Sequence, residues 1–274
     1  MKIHTLAFVG AMAAFAGCRT ASVPSHTTLI AHRGESKDAP ENTLPAYRTA
    51  VERGFGFECD IYLSTDGRLF TFHDHDLKRT SGGANTKRCT NASWADEVSK
   101  LNVGGWGRWK GSKFDPTRPA LLEEVLALAR PGRKIYVEVK GGAGAVKWVP
   151  TIKQVFAKEP KATPETALFI CFNKETCAEL KRQMPEYKVY WLTDCLKSPD
   201  EVVSVLKAIG VDGVDIQFKS EIIDERYVRT VKDAGFEFHV WTVDDIVKAR
   251  RAFEVGADTL TTNCAQKLLD EYGK

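Results

Sequence analysis

Short apolar runs alternate with amphipathic segments along nearly the whole of this chain, and that alternation limits its fold more than any other feature. Apolar runs of strand length occur at Thr28–His32, Phe57–Leu63, Leu69–His73, Lys134–Val139, Ala167–Phe172, Lys188–Leu192, Gly213–Ile216, Glu237–Trp241 and Thr259–Thr261. Helical periodicity occupies Leu44–Arg53, Leu121–Arg130, Val146–Lys158, Lys174–Met184, Asp200–Ile209, Glu221–Ala234, Val243–Val255 and Gln266–Tyr272. Asn173 and Ser198-Pro199 mark helix starts, and Gly54, Gly210, Gly235 and Gly256 follow helix ends. A strand followed by a helix, repeated about eight times, calls for parallel strands with crossover helices. The 274 residues allow one large barrel or two small domains. The number of units favours an α/β fold of the closed (β/α)8 TIM-barrel type over an open sheet. Residues 74–119, rich in glycine and holding Trp94, Trp106 and Trp109, break the rhythm. They read as a small insertion after the third strand, above the face that shapes substrate access.

The first eighteen residues stand apart from this pattern. Lys2 precedes an apolar run, Leu6–Phe15, too short to span a bilayer and suited to an export signal. Phe15-Ala16-Gly17-Cys18 resembles a bacterial lipobox, in which Cys18 carries lipid and anchors the protein at the periplasmic or cell surface. The alternative is an ordinary signal peptide and a soluble exported protein. Residues 19–27 read as a tether, and 28–274 as the barrel domain. With Cys18 set aside, six cysteines remain. Their even number permits disulfides without specifying them. Cys59 and Cys171 fall in apolar strands and read as small buried hydrophobes. The 39 basic and 36 acidic side chains nearly balance, which argues against a nucleic-acid partner. The sequence leaves the oligomeric state open.

Polar residues at the C-terminal ends of barrel strands are where such a fold carries chemistry. His32-Arg33-Gly34 closes the first strand and offers a proton-transfer group and a fork for phosphate, or simply a hydrogen-bonded strand-end histidine. Glu58 and Asp60 stand two apart on one strand and so share a face, with Cys59 on the other. Two buried acids side by side repel unless a cation lies between them, and a hard divalent ion is the natural neutraliser. A solvent-facing, salt-bridged pair is the plainer reading. His73 follows the third strand and is the candidate partner of His32 in acid–base work, with His75 and Asp76 in the loop beyond. Glu138 and Lys140 share a face of the next strand. They are a third carboxylate for the cation and a holder for an anionic oxygen, or an ordinary Glu–Lys pair.

Taken in order, these residues resemble the glycerophosphodiester phosphodiesterase family. AHRGESKDAPENTLPAYRTAVERGFGFECDIYLSTDGRLFTFHDHDLKRTSG carries HRG, PENT, ExD, a DG turn and HD followed by L-x-R-T. IYVEVK, HVWTVDD and GADTLTTN are similar to later strands of the family. The resemblance implies a barrel of the phosphatidylinositol phospholipase C-like type and hydrolysis of a small glycerophosphodiester to glycerol 3-phosphate and an alcohol with a divalent cation, Ca2+ or Mg2+. By motif position it implies Glu58, Asp60 and Glu138 as metal ligands and His32 and His73 as the catalytic pair, read as base and acid. Arg33 and Lys140 then hold the phosphate, and Trp241 stands at the mouth of the site. The nucleophile is the neighbouring glycerol hydroxyl, through a cyclic phosphate, or water. One departure stands out. The family's last strand usually ends in Thr-Asp, with a proline one residue later, and this chain reads Thr262-Asn263-Cys264-Ala265. The change is expected to affect the substrate's alcohol end and to leave the metal and the two histidines untouched. The rival readings are a related phosphodiesterase on the same barrel, acting like a phospholipase D or on sugar phosphodiesters, and a non-catalytic surface-anchored binding protein.

Overall fold

The structure, a computed structural model, describes residues 23–194 and 197–272. Residues 1–18, read above as an export signal ending at Cys18, the first part of the segment read as a tether, and Cys195 lie outside the described residues. Nine strands are described: β1 (Leu29–Ala31), β2 (Gly56–Leu63), β3 (Leu69–Thr71), β4 (Ile135–Val139), β5 (Ala167–Cys171), β6 (Val189–Thr193), β7 (Gly213–Gln217), β8 (Glu237–Trp241) and β9 (Thr259–Thr262). Eight of them close a parallel barrel in the order β1-β2-β4-β5-β6-β7-β8-β9, with β9 returning to β1. Around it lie α1 (Leu44–Glu52), α2 (Leu122–Leu126), α3 (Val149–Lys158), α4 (Lys174–Gln183), α5 (Pro199–Ile209), α6 (Glu225–Asp233), α7 (Ile246–Glu254) and α8 (Ala265–Tyr272).

The strand at Leu69–Thr71 departs from the expected rhythm. It pairs antiparallel with β2, Ile61 opposite Thr71 and Leu63 opposite Leu69, and lies outside the barrel wall. The connection is a tight turn in which the Ser64 N–H donates to Arg68 O at 2.9 Å, with Gly67 at φ +78°. A link this short makes a hairpin, whereas a parallel return needs a dozen residues or more. Its other edge meets the 120–121 segment, where the Thr71 N–H donates to Ala120 O at 2.9 Å.

Several helices start later or end sooner than periodicity suggests. Asp224 and Asp245 cap the backbone of Tyr227 and Lys248, so α6 and α7 begin directly after them. Residues 142–148 form a 3-10 segment and the α-helix starts at Val149, with Pro150 in its first turn. Pro131 disfavours helical backbone at the residue before it, and α2 stops at Leu126.

Strand alternation divides the interior in two. Ile135, Val137 and Val139, with Ala167, Phe169 and Cys171 and then Val189 and Trp191, face outward into the layer beneath the helices. Tyr136, Leu168, Ile170, Tyr190 and Leu192 face inward and, with Ile30, fill the barrel. Glu58, Asp60 and Glu138 belong to the inward set, at its upper end, where aliphatic filling gives way to carboxylates. Among the described residues Cys59, Cys89, Cys171, Cys177 and Cys264 are buried and free. Residues 74–119 hold three short 3-10 turns, and no described helix is long and apolar enough to cross a membrane.

Candidate active site

Above the apolar filling lies a cavity of about 170 Å3, lined among others by His32, Arg33, Glu58, His73, Glu138, Lys140, Asp215 and Trp241. Glu58 and Asp60, separated by the outward Cys59, face inward from β2, and Glu138 joins them from β4, where Asp60 is its register partner; Glu58 and Glu138 line the cavity. One oxygen from each of the three carboxylates falls within 4.8 Å of the others. All three side chains are buried, and Glu58 Oε1 and Asp60 Oδ1 have no hydrogen-bond donor. Glu58 Oε1 is left without a partner and Asp60 Oδ1 has only the Lys140 ammonium near it, and an all-oxygen donor set of this kind fits a hard divalent cation. The residues present therefore fit the cation that the sequence suggested.

The electrostatics follow from this crowding. Burial, then the neighbouring Asp60 and Glu138, push Glu58 well above the usual carboxylate range. Burial and Asp60 push Glu138 up as well. Burial would raise Asp60 too, but Lys140, His73 and Arg33 outweigh it and hold Asp60 ionised. Lys140 Nζ lies 2.7 Å from Glu138 Oε1 and 3.3 Å from Asp60 Oδ1. Arg33 Nε lies 3.7 Å from Asp60 Oδ2. The site thus holds two fixed cations against three carboxylates.

Local backbone geometry delivers Arg33. It sits at φ +58° and Gly34 at +76°, so the chain turns sharply at the end of β1. The turn aims the Arg33 N–H at Glu58 Oε2, 2.9 Å away, and Arg33 O accepts from the Asn42 N–H at 3.0 Å. Asn42 is also in the left-handed region, at φ +55°. Its side chain binds Asp60 twice: Nδ2 donates to Asp60 Oδ2 at 2.7 Å, and Oδ1 accepts from the Asp60 N–H at 3.1 Å. Thr43, rather than Asn42, caps α1. Asparagine tolerates that backbone better than most residues, so its place here is conformational as well as chemical.

The two histidines lie on opposite sides of the carboxylates in origin. His32 follows β1, and its Nδ1 meets Asn263 Oδ1 at 2.8 Å while Nε2 stands 3.8 Å from Glu58 Oε2. Burial, reinforced by Arg33, pushes His32 down to about 4. His73 comes from the hairpin. Because β3 runs back down from the rim, with the Phe72 N–H donating to Asp60 O at 3.0 Å, His73 enters level with Asp60 rather than from the top of a barrel strand. Its Nδ1 meets Asp74 Oδ1 at 2.8 Å. Asp74 in turn accepts Arg79 Nε at 2.7 Å, and Arg79 reaches Glu41 at 2.7 and 2.9 Å. Glu41 accepts Arg33 Nη1 at 2.9 Å. A continuous chain of charged contacts, Arg33–Glu41–Arg79–Asp74–His73, therefore runs along one rim. Trp241 lines the mouth, its Nε1 donating to Asp215 O at 3.1 Å and its ring edge-on to Phe172 with centroids 5.7 Å apart.

Of the eight residues singled out within the barrel, seven line this cavity, and Asp60 is buried beside it in contact with Lys140, Arg33 and Asn42; Cys18 lies outside the described residues. His75 is exposed, with three-quarters of its side chain in solvent. The expectation that Asn263 would leave the histidines untouched is wrong, because its side chain is the partner of His32. Sequence reasoning also missed Asp74, Arg79 and Glu41, whose adjacency arises only from the fold. It missed Asp215 as well, an inward residue of β7 whose Oδ1 has no partner and whose carboxyl burial, then Glu138, pushes up to about 8. The inward position of Asp215 was readable from strand alternation.

The profile of the glycerophosphoryl diester phosphodiesterase family matches residues 32–267. A glycerophosphodiester phosphodiesterase of Caldanaerobacter subterraneus is 31% identical over 252 residues, covering 89% of this chain and 97% of the relative. Among solved structures, a phosphodiesterase of Oleispira antarctica in complex with the product sn-glycerol-3-phosphate superposes with a TM-score of 0.79 at 26% identity, over 90% of this chain and 97% of that one. A glycerophosphodiester phosphodiesterase of Parabacteroides distasonis gives a TM-score of 0.71 at 25% identity, over 91% and 99%.

Proposed function

The chain belongs to the glycerophosphoryl diester phosphodiesterase family, and on that premise we propose that it hydrolyses glycerophosphodiesters to sn-glycerol 3-phosphate and an alcohol. The observation that carries the reading is the placement of three buried carboxylates, two of them with donor-free oxygens, between two imidazoles and two basic side chains. The product bound by the Oleispira relative is the one expected here.

Glu58, Asp60 and Glu138 would hold a divalent cation, Ca2+ or Mg2+. When bound, such an ion supplies Lewis acidity toward a phosphate oxygen and lowers the pKa of a coordinated hydroxyl. Arg33 and Lys140 place fixed positive charge beside the position where the phosphoryl oxygens gain negative charge. His32, neutral and deeply desolvated, suits the base that takes the nucleophile's proton. His73, whose Nδ1–H points at the Asp74 carboxylate, suits the acid that protonates the departing alkoxide: burial lowers its pKa, and Asp60 and Asp74 oppose that loss of the proton. The nucleophile's oxygen bonds to phosphorus as its proton passes to His32, and the phosphorus–oxygen bond to the alcohol breaks as the proton from His73 reaches the leaving oxygen. Trp241 and Phe172 form an apolar wall at the mouth, where a leaving alcohol can rest.

One assay tests this. Purified protein with glycerophosphocholine or glycerophosphoethanolamine should release glycerol 3-phosphate, and a chelator should stop it. Tight binding of the diester without cleavage would favour the binding-protein reading. Preference for an intact lysolipid or a sugar phosphodiester over these small glycerophosphodiesters would favour the related phosphodiesterases. We propose further that residues 1–18 direct export and that Cys18 carries a lipid anchor. A Cys18→Ala variant should then move from the membrane to the soluble fraction, and equal partition of the two proteins would exclude the anchor.

A further inference from the structure

The two histidines of the site are held by partners of different charge. His73 is held by a carboxylate and His32 by the neutral amide of Asn263. An amide can present either its oxygen or its nitrogen, so the partner of His32 does not by itself fix which ring nitrogen bears the proton. The surroundings of Asn263 do fix it. Asn263 Nδ2 donates to Asp244 Oδ2 at 2.8 Å, and an ionised carboxylate can only accept. Asp244 is held in place because its Oδ1 accepts both the Asn263 N–H at 2.8 Å and Thr262 Oγ1 at 3.0 Å. Lys37 Nζ, 3.9 Å from Asp244 Oδ2, adds a positive charge on the same side. Ser36 Oγ donates to Asn263 Oδ1 at 3.1 Å from the other. The contact with the Asp244 carboxylate requires the amide nitrogen toward Asp244 and the amide oxygen toward His32, and the Ser36 hydroxyl complements that oxygen. That oxygen accepts from the ring, so the proton sits on Nδ1 and the lone pair on Nε2, the nitrogen beside Glu58.

We propose that Asp244 and Asn263 are positioning residues that hold His32 in its Nδ1–H tautomer and so present Nε2 to the substrate as an acceptor. Asp244 lies after β8 and Asn263 after β9, so neighbouring strand ends orient the histidine that follows β1. The kinetic consequence rests on the reading above that His32 acts as a base, whereas the tautomer does not.

The contact pattern dictates the outcome of a swap. In Asp244→Asn the new amide oxygen stays where two donors already point, so its nitrogen faces Asn263 Nδ2, donor against donor. Asn263 must then rotate and present N–H to His32, which drives the ring proton to Nε2. Adding Asn263→Asp restores an acceptor toward both neighbours.

The test uses cation-loaded protein with 15N-labelled histidine, read by the ring nitrogen shifts of His32, together with steady-state kinetics. Wild type should show the proton on Nδ1. Asp244→Asn should show it on Nε2 and lose kcat by at least about 10-fold at little-changed KM; a catalytic imidazole in the wrong tautomer can lose up to about 10^4-fold. The double variant Asp244→Asn/Asn263→Asp should recover the Nδ1–H signal and most of kcat. A wild-type proton on Nε2 overturns the proposal. So does an Asp244→Asn protein that keeps both the Nδ1–H signal and wild-type kcat, or a folded double variant that remains as slow as Asp244→Asn. If Asp244→Asn does not fold, the wild-type and double-variant spectra decide alone. Absent phosphodiester cleavage in wild type removes the proposed function while leaving the tautomer measurement valid.

Discussion

Glu58, Asp60 and Glu138 make the site electrostatically unfinished, since buried acids with donor-free oxygens are held close together by rigid strands. Lys140 and Arg33 offset part of the repulsion, mainly at Asp60. This division of labour separates two kinds of mutant. Replacing His32 or His73 by Ala should cut turnover by about 10^2–10^4-fold while leaving cation binding and thermal stability near wild type. Glu58→Ala should lose activity through weakened cation affinity, and raising the cation concentration should restore part of it. Titrating activity against cation for the three variants distinguishes these outcomes. A histidine variant that recovers with added cation, or a Glu58 variant that ignores it, contradicts the assignment.

At the scale of elements, the first β–α connection organises the site. Arg33, Gly34 and Asn42 all adopt positive φ, and between them the loop folds back so that Asn42 reaches Asp60 and Arg33 reaches Glu58. Gly34 packs against the first turn of α1, where an added Cβ would lie 2.5 Å from the Ala46 carbonyl carbon. Gly34→Ala should cost about 1–3 kcal/mol from the backbone conformation alone, more with the clash, and should reduce activity by displacing Arg33. A thermal midpoint and kcat/KM both equal to wild type would show that the loop accommodates the methyl. The barrel and its inward carboxylates were legible in the sequence because a two-residue period marks which face each strand residue takes. Asp66-Gly67, a recognised hairpin signal, stands in the turn that makes β3 antiparallel, although in the sequence it enters only as part of the family resemblance. The partners of the histidines were not legible. Asn263 is 231 residues from His32, and only closure of the barrel makes β9 the neighbour of β1. Arg79 and Glu41 meet for a similar reason, across a loop with no periodic pattern.

For the molecule as a whole, the raised carboxyls couple folding to protons and to the cation. Glu58 and Glu138 are raised in the folded protein, and Asp215 is raised to about 8. Through these carboxyls the folded state binds more protons than the unfolded chain above the ordinary carboxyl range, so their contribution to cation-free stability falls as pH rises from about 4.5 through neutral, opposed at the acid end by His32, which is pushed down to about 4. A divalent cation displaces those protons, and its affinity should rise over the same interval. Bound at one hundred times its dissociation constant it adds about 2.7 kcal/mol. The thermal shift between cation-loaded and chelated protein should therefore be larger at pH 8 than at pH 5.5. An equal or reversed difference would show that the carboxylates are not the linked groups. The position of β3 outside the barrel has its own consequence. His32 is rooted in a closed wall whose strands are each held along both edges, while His73 hangs from a three-residue ribbon braced by β2 and a single stretch of loop. The enzyme can therefore lose the proposed proton donor by local fraying while the barrel and its carboxylate cluster stay intact, so heat should silence catalysis before it unfolds the protein.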